Sequence, residues 1–583
     1  MKQSHQVVNG PVRLNVVTYG DARKVPIVLV HGYPDNHTVW DAVAQRLAQK
    51  YFVIAYDVRG AGESTAPTEV AAYRMPLLAA DLKAVVDSLI PERPFHLAGH
   101  DWGSIQTWES VTSGELTARI RSYTTISGPC LDHVGYWLRE QTLNGSASAK
   151  LKLASQLLSS WYVAFFQLPV LAPAAWQNGL DKLWPSYLER REQVAEAVPN
   201  PSQRKDGRYG VQLYRANFRS KLLRPQQRPA CCPVQLIVPS RDNYVGPQLF
   251  ERLHQWVPEL YRRDINAGHW VPLSHPEQIA SWIGEFVTGV ENGRMSTALE
   301  QARVQPEQDH LPLARKVTVI TGAGSGFGRA SALRFAAAGA SVVCVDIDEA
   351  AAEETANLVR TLGAQAWASK VDVGSATAMQ RLAKWVGREL GGADIVINNA
   401  GIGMAGGVLE TSTADWDRIL KVNLWGVIHG SRLFGQQMVD NQRGGHIVNV
   451  ASAAAFAPNR KLAGYSTSKA AVYMLSECLR AELDEHDIGV STVCPGFVAT
   501  GIAQNTVYAG LSEEEEQHKR NKAEALYQRG SVVTADDVAD RILQTVLTNP
   551  ALTLVGPEAR ATRLLSRFAP GVSRLVAKLD ITP

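Results

Sequence analysis

At 583 residues the chain is too long for a single ordinary core, so two to four domains are expected. Hydrophobic residues at 45% and charged residues at 20% argue against disorder, and a net charge of +3 is too small for a nucleic-acid binder. Met1 to Val16 lacks a basic start followed by an apolar run, so no secretory signal is expected. From Val25 to Phe286 short apolar runs alternate with helical patterns. Ile27 to Val30, Phe52 to Tyr56, Phe95 to Ala98 and Gln235 to Val238 suit buried parallel strands, with a helix over Ala79 to Leu89. The series breaks between about 132 and 229 into aromatic-rich helical sequence. Its most apolar stretch, Leu151 to Trp176, contains Lys152, Pro169 and Pro173, which favours a helical cap over a membrane span.

The polar stretch Glu291 to Leu311 reads as a linker, placing a first domain at 1–290, a linker at 291–313 and a second domain at 314–583. The second domain opens with a strand at Lys316 to Ile320 and a helix at Gly328 to Ala338. Strands follow at Ser341 to Asp346, Ile395 to Ile397, His446 to Asn449 and Val490 to Val493. That alternation predicts an α/β fold, a doubly wound parallel sheet. The six cysteines have no C-x-x-C spacing and read as reduced thiols in a cytoplasmic protein.

Gly99-His100-Asp101-Trp102-Gly103 has the spacing of a nucleophile elbow, with Asp where esterases place Ser. A carboxylate needs no deprotonation at neutral pH and suits displacement at an sp³ carbon, giving an alkyl-enzyme ester. His31-Gly32-Tyr33-Pro34 follows a strand and offers the Tyr33 backbone N–H to an oxyanion hole, with the Trp102 N–H as partner. Asp242 follows the strand ending at Val238, and His269 stands in Ala267-Gly268-His269-Trp270. The order nucleophile, acid, histidine is that of a hydrolase triad.

Over about residues 5 to 290 these motifs resemble the epoxide hydrolase branch of the α/β-hydrolase fold. The resemblance implies two cap tyrosines that polarise an epoxide oxygen, carried by Trp161-Tyr162 and by Leu213-Tyr214-Arg215. Haloalkane dehalogenases, which share the Asp elbow, usually have Asn where this chain has Tyr33. Fluoroacetate dehalogenases usually have Arg where it has Trp102. A halide-releasing hydrolase and a non-catalytic lipid-binding module remain as alternatives.

In the second domain Thr321-Gly322-Ala323-Gly324-Ser325-Gly326-Phe327-Gly328 links a strand to a helix, as phosphate binding at a helix N-terminus requires. Asp346 ends the next strand, where its carboxylate suits ribose hydroxyls and repels a 2′-phosphate. NAD(H) is therefore favoured over NADP(H), with Arg329 as the one base near the loop. Tyr465 and Lys469 are four apart and share a helical face, so the ammonium can lower the phenol pKa.

The set resembles the short-chain dehydrogenase/reductase family over about residues 314 to 556. The resemblance implies a catalytic tetrad of Asn423, Ser452, Tyr465 and Lys469. It further implies cofactor contacts from Gly322, Ser325, Gly326, Phe327, Gly328, Asp372, Val373, Asn399, Ala400, Gly401, Pro495, Gly496, Val498 and Thr500. The whole chain thus resembles a bacterial fusion of the two families, expected to be a homo-oligomer acting on a lipophilic epoxide, diol or alcohol. In the tail (558–580), Leu564, Leu565, Phe568, Val572, Leu575, Val576 and Leu579 fall on one helical face, interrupted at Pro570-Gly571. Arg560, Arg563, Arg567, Arg574 and Lys578 fall on another. That face is expected either to dock on the protein's own surface or to contact a membrane.

Overall fold

Short runs of buried β-branched residues form the centre of two separate sheets. The computed structural model describes residues 2–195, 197–307, 310–498, 506–511, 514–521 and 533–578, and the chain divides into two units, Met1–Val304 and Gln305–Pro583.

The first unit is built on an eight-stranded sheet. Its strands are β1 (Lys2–Asn9), β2 (Val12–Tyr19), β3 (Pro26–Val30), β4 (Phe52–Tyr56), β5 (Phe95–His100), β6 (Ile120–Ile126), β7 (Val234–Pro239) and β8 (Leu260–Ile265). The spatial order is β1-β2-β4-β3-β5-β6-β7-β8. Strands β3 to β8 pair in parallel, whereas β1 pairs antiparallel with β2 and β2 with β4. The central strands β3, β4 and β5 are buried along their whole length, which is why they read as continuous apolar runs. Strand β1 is mostly exposed and polar, so its sequence carries little hydrophobic signal.

Between β6 and β7 the chain leaves the sheet to form the cap, from helix Leu131–Asn144 to helix Gln203–Leu223. Tyr33, Phe166, Trp176 and Tyr214 belong to the same core cluster as Trp102 beneath them, so the cap is packed onto the elbow by aromatic rings. At ~25 cal/mol per Å² and roughly 150–250 Å² per ring, each such ring contributes at most about 4–6 kcal/mol.

The expected linker is corrected in its first part. Helix Thr297–Ala302 buries Leu299 against Tyr261 and Phe286, and the Val304 N–H donates to Leu260 O at 2.7 Å. Apolar anchors within a polar stretch therefore hold residues up to Val304 to the first unit.

The second unit holds a seven-stranded, wholly parallel sheet of order β11-β10-β9-β12-β14-β15-β17. Its strands are β9 (Val317–Thr321), β10 (Ser341–Asp346), β11 (Ala366–Lys370), β12 (Ile395–Asn398), β14 (Gly445–Val450), β15 (Ile488–Pro495) and β17 (Leu552–Val555). A separate short pair joins β13 (Met404–Ala405) to β16 (Val507–Tyr508). The strand order reverses between β9 and β12, and such a switch point opens a crevice at the carboxyl ends of the strands. The glycine-rich turn and the Asn399-Ala400-Gly401 segment both start there.

Cys130, Cys344 and Cys494 are buried, Cys231 and Cys478 are exposed, and all six cysteines are free thiols. Among the described residues no helix is long and apolar enough to cross a membrane.

Candidate active sites

In the first unit β5 delivers Asp101 to the sheet edge and helix Trp102–Thr112 carries the chain away. Asp101 sits at φ +52°, ψ −123°, a strained conformation for a residue with a side chain, costing on the order of 1–3 kcal/mol. The turn is tight enough that a Cβ on Gly103 would lie 2.0 Å from the Val30 carbonyl oxygen. Backbone bonds from Asp101 N–H to Ile126 O and from Ile105 N–H to Asp101 O hold it.

The two carboxylate oxygens of Asp101 have different surroundings. Oδ1 accepts the Tyr33 backbone N–H at 2.6 Å, while Oδ2 lies 3.4 Å from His269 Nε2. Of the two expected backbone donors, Tyr33 therefore reaches the carboxylate. The other, Trp102, opens the helix and makes no bond to Asp101 among the described hydrogen bonds. On its far side His269 Nδ1 pairs with Asp242 Oδ2 at 2.8 Å. The second Asp242 oxygen accepts the Tyr244 and Val245 N–H groups. Burial works against the Asp242 carboxylate, but the His269 charge and these hydrogen bonds outweigh it and hold its pKa below the usual range. Burial likewise opposes the His269 cation, and the charges of Asp242 and Asp101 override it, raising His269 well above an ordinary histidine.

Tyr162 and Tyr214 are brought together in the cap, their rings 6.0 Å apart and near perpendicular. Burial, then the charge of Asp101, raises both phenols, so each stays a neutral O–H donor at neutral pH. Tyr33, which stands where a haloalkane dehalogenase is expected to have Asn, has its hydroxyl committed elsewhere. It accepts from Trp176 Nε1 at 2.6 Å and donates to Gly207 O at 3.1 Å.

Two acids beside this site carry no motif and were missed by sequence reasoning. Glu192, buried in the cap, accepts the His269 backbone N–H at 2.6 Å. Asp35 accepts from Trp270 Nε1 at 2.8 Å, and burial pushes its carboxyl up to about 7. Only its place two residues after Tyr33 could have drawn attention to Asp35.

In the second unit β9 runs into the glycine turn and then helix Gly326–Ala337. A Cβ on Gly328 would stand 1.9 Å from Gly322 O, so the helix can approach the turn only with glycine there. Ser325 is the N-cap, yet its side chain accepts no helix bond. The first-turn N–H groups of Gly326, Phe327 and Gly328 are thus left for an anion, which fits a dinucleotide pyrophosphate. Asn399 Nδ2 donates to Thr321 O and Gly322 O, and Thr321 Oγ1 accepts from the Asn399 and Ala400 N–H groups. The two segments expected to hold a cofactor are therefore tied to each other.

Asp346 Oδ2 accepts the Gly324 N–H at 2.8 Å, which sets its carboxylate beside the glycine turn. Arg329 is committed: it donates to Gly324 O and Thr355 and pairs with Glu354 at 2.7 Å. Asp372 pairs with Lys421 at 2.8 Å, and that hydrogen bond lowers its pKa. Val373 packs beneath Gly426, where a Cβ would meet its side chain at 2.8 Å. Pro495 ends β15, the Gly496 N–H donates to Val555 O, and Val498 is buried. Thr500 lies outside the described residues.

Helix Ala463–Leu483 carries Tyr465 and Lys469. Lys469 Nζ donates to Val450 O at 2.9 Å and lies 5.8 Å from the Tyr465 ring centre. Burial lowers the Lys469 ammonium to about 8. Asn423 sits in a π-helical turn, Lys421–Trp425, with its amide bonded to the Ile402 N–H and carbonyl. A Cβ on Gly401 would meet Asn423 Oδ1 at 3.3 Å and Lys469 Nζ at 3.4 Å, so both side chains converge on that glycine. Ser452 follows β14 and caps the turn Ala453–Ala455 through the Ala454 N–H.

Comparisons with known proteins follow the same division. Residues 25–276 match the family described as alpha/beta hydrolase fold, and residues 316–509 match the family described as short chain dehydrogenase. The chain is 38% identical to "Probable oxidoreductase EphD" of Mycobacterium tuberculosis, over 100% of this chain and 99% of that protein. It is 35% identical to the 7alpha-hydroxysteroid dehydrogenase of Escherichia coli, over 36% of this chain and 82% of the relative. A solved short chain dehydrogenase/reductase from Burkholderia phymatum in complex with NAD is 34% identical, covering 46% of this chain and 97% of its own, with a TM-score of 0.41.

Proposed function

Since this chain belongs to the EphD-like oxidoreductase family, an α/β-hydrolase domain followed by a short-chain dehydrogenase domain, we propose that it opens an epoxide to a diol and oxidises a secondary alcohol with NAD⁺. The observation that carries the hydrolase half is the division of labour between the two Asp101 oxygens, one gripped by the Tyr33 N–H and one facing His269. Oδ2 attacks an epoxide carbon, the carbon–oxygen bond breaks, and Tyr162 and Tyr214 donate hydrogen bonds to the departing oxygen. The product is an ester on Asp101, whose carbonyl oxygen stays under the Tyr33 N–H.

Esterification also removes the Asp101 charge, one of the causes that raise His269. The imidazolium then releases its proton more easily, to the alkoxide left by ring opening. The neutral imidazole takes a proton from the water that attacks the ester carbonyl carbon, with Asp242 stabilising the resulting cation. The acyl–oxygen bond breaks, the departing oxygen takes the carboxyl proton, and the diol leaves with Asp101 restored as a carboxylate. The packed aromatic rings of Tyr33, Phe166, Tyr214 and Phe218 beside Asp101 support a lipophilic substrate.

The residues of the second unit fit a nicotinamide dinucleotide, which supplies the hydride acceptor when bound. The first turn of helix Gly326–Ala337 would hold its pyrophosphate and Asp346 its ribose hydroxyls. Tyr465 would take the proton of an alcohol whose oxygen Ser452 holds, with Lys469 lowering the phenol pKa and Asn423 supporting a relay to Lys469. Asp346 would repel a 2′-phosphate, and Arg329, a base beside the glycine turn, is already paired with Glu354. The alcohol named in the E. coli relative is a hydroxysteroid, which supports a lipophilic secondary alcohol here.

Replacing His269 with Gln tests the hydrolase half, because the ester then forms but is not cleaved. Mass spectrometry of the digested variant after exposure to an epoxide should find the adduct on the Asp101 peptide. No adduct with any of a range of epoxides, or label on another residue, would overturn this reading.

A further inference from the structure

The two tail helices, Pro557–Phe568 and Pro570–Val576, sit on the second unit by their less hydrophobic side. The side turned inward carries Ala559, Thr562, Arg563, Ser566, Ala569, Ser573 and Ala577. The side turned outward carries Leu564, Leu565, Phe568, Val572, Leu575 and Val576, with Phe568 75%, Leu575 64% and Leu564 58% exposed. A helix docked for stability alone would bury its leucines, since removing apolar side chains from water is favourable. The expected docking of the apolar face on the protein's own surface is therefore corrected.

Arg563 holds the inverted arrangement. Its guanidinium lies 4.4 Å from the Phe456 ring centre and 5.3 Å from that of Tyr473, and it donates to the Tyr473 hydroxyl at 3.2 Å. The Arg460 N–H adds a bond to Ala577 O at 3.4 Å. Phe456 and Arg460 lie in the segment joining Ser452 to Tyr465, so the exposed face is anchored next to the dehydrogenase site.

We infer that this face seats on an anionic lipid surface. Charge complementarity selects that occupant. Arg560, Arg567, Arg574 and Lys578 are exposed on the same tail segment and form no ion pair among the described residues. Residues 557–578 hold only one acid, Glu558, and a Cβ on Gly496 would lie 3.0 Å from its Oε2, so it is turned inward. A second copy docked face to face would bring these cations against one another, whereas lipid phosphates neutralise them. The helix break at Ala569 and the short lengths suit segments lying flat, with the apolar side roughly 5–10 Å into the headgroup boundary.

Flotation of the full chain tests this, using vesicles of phosphatidylcholine alone and of an equal mixture with phosphatidylglycerol. The protein should float with the mixed vesicles, on the order of tenfold more than with phosphatidylcholine alone, and be released at ~1 M salt, where the Debye length is about 3 Å. Two variants, Leu564→Glu with Phe568→Glu and Arg560→Glu with Arg567→Glu, should each lose the association while retaining the wild-type circular dichroism. Absence of flotation, equal flotation with both vesicles, or flotation unchanged in a folded variant would overturn the proposal. So would a drop in the sedimentation coefficient of the lipid-free leucine–phenylalanine variant without any vesicle binding by wild type, which assigns the face to a second copy. Flotation requires neither catalytic step, so its failure leaves the proposed chemistry untouched.

Discussion

Tyr33 and Asp101 are joined by a 2.6 Å hydrogen bond from the Tyr33 backbone N–H to Asp101 Oδ1, and the Tyr33 side chain is fastened into the cap. Its ring packs edge-on to Tyr214 at 5.4 Å and to Phe166 at 5.3 Å. One residue therefore fixes the candidate nucleophile Asp101 with its backbone and the floor of the cap with its side chain. The candidate nucleophile and the candidate acid Tyr214 are held in register through it, as the proposed chemistry requires.

Tyr162→Phe and Tyr214→Phe remove one donor each and keep the ring packing. Each should slow ester formation roughly a hundred- to a thousandfold, about 2.7–4 kcal/mol of barrier, with little change in thermal stability. Single-turnover alkylation of the His269→Gln background by a reactive epoxide measures this step alone. Wild-type rates in both variants would make these tyrosines packing residues.

Cofactor choice should follow the charge beside the glycine turn. The wild type is expected to bind NAD(H) at least about tenfold more tightly than NADP(H), a difference of ~1.4 kcal/mol. Asp346→Ala should narrow that gap, and Glu354→Gln, which frees Arg329 from its partner, should narrow it further. Calorimetric binding of both cofactors to the three proteins checks the order, and tighter binding of NADP(H) by wild type would refute it.

Lys469 gives a pH signature. Its pKa of about 8 in the folded chain lies below the ordinary 10.5, so burying the ammonium costs stability. The sign follows from linkage: between about pH 8 and 10.5 the unfolded chain binds more protons, and this group's contribution to stability rises with pH. Below pH 8 the full cost is present. Lys469→Met lacks that group, so its stability relative to wild type should fall by up to about 3 kcal/mol as pH rises through this window. Denaturant unfolding of both proteins across the window measures it, and a constant difference would contradict the assignment. The variant should also lose alcohol oxidation, since Tyr465 would no longer face a cation.

Much of this was legible because both sites stand on continuous apolar strands followed by glycine turns. Strand β5 and the Asp101 elbow, β9 and the glycine turn, and the Tyr465–Lys469 spacing each combine a periodicity with a motif. Strand β1 escaped because an exposed antiparallel edge needs few apolar residues, and β2 because the buried polar residues Asn15 and Thr18 break up its apolar run. Glu192 escaped for a different reason. It meets His269 across 77 positions of sequence, from a cap whose path no local pattern specifies. The tail marks the limit of amphipathic reasoning: Leu564 and Phe568 were correctly assigned to one face, but the wheel alone does not say which face the protein keeps for itself.

We propose that the two halves act in order on one substrate, ring opening first. An epoxide has no hydroxyl for Tyr465 to deprotonate, while the diol has a secondary alcohol with a hydrogen on its carbinol carbon. Product analysis of the full-length protein given a lipophilic epoxide and NAD⁺ tests this most directly. Wild type should yield a hydroxyketone with an equal amount of NADH. Asp101→Asn should yield neither product, and Tyr465→Phe should stop at the diol. If wild type accumulates diol that it never oxidises at any pH or with either cofactor, the sequential account is wrong.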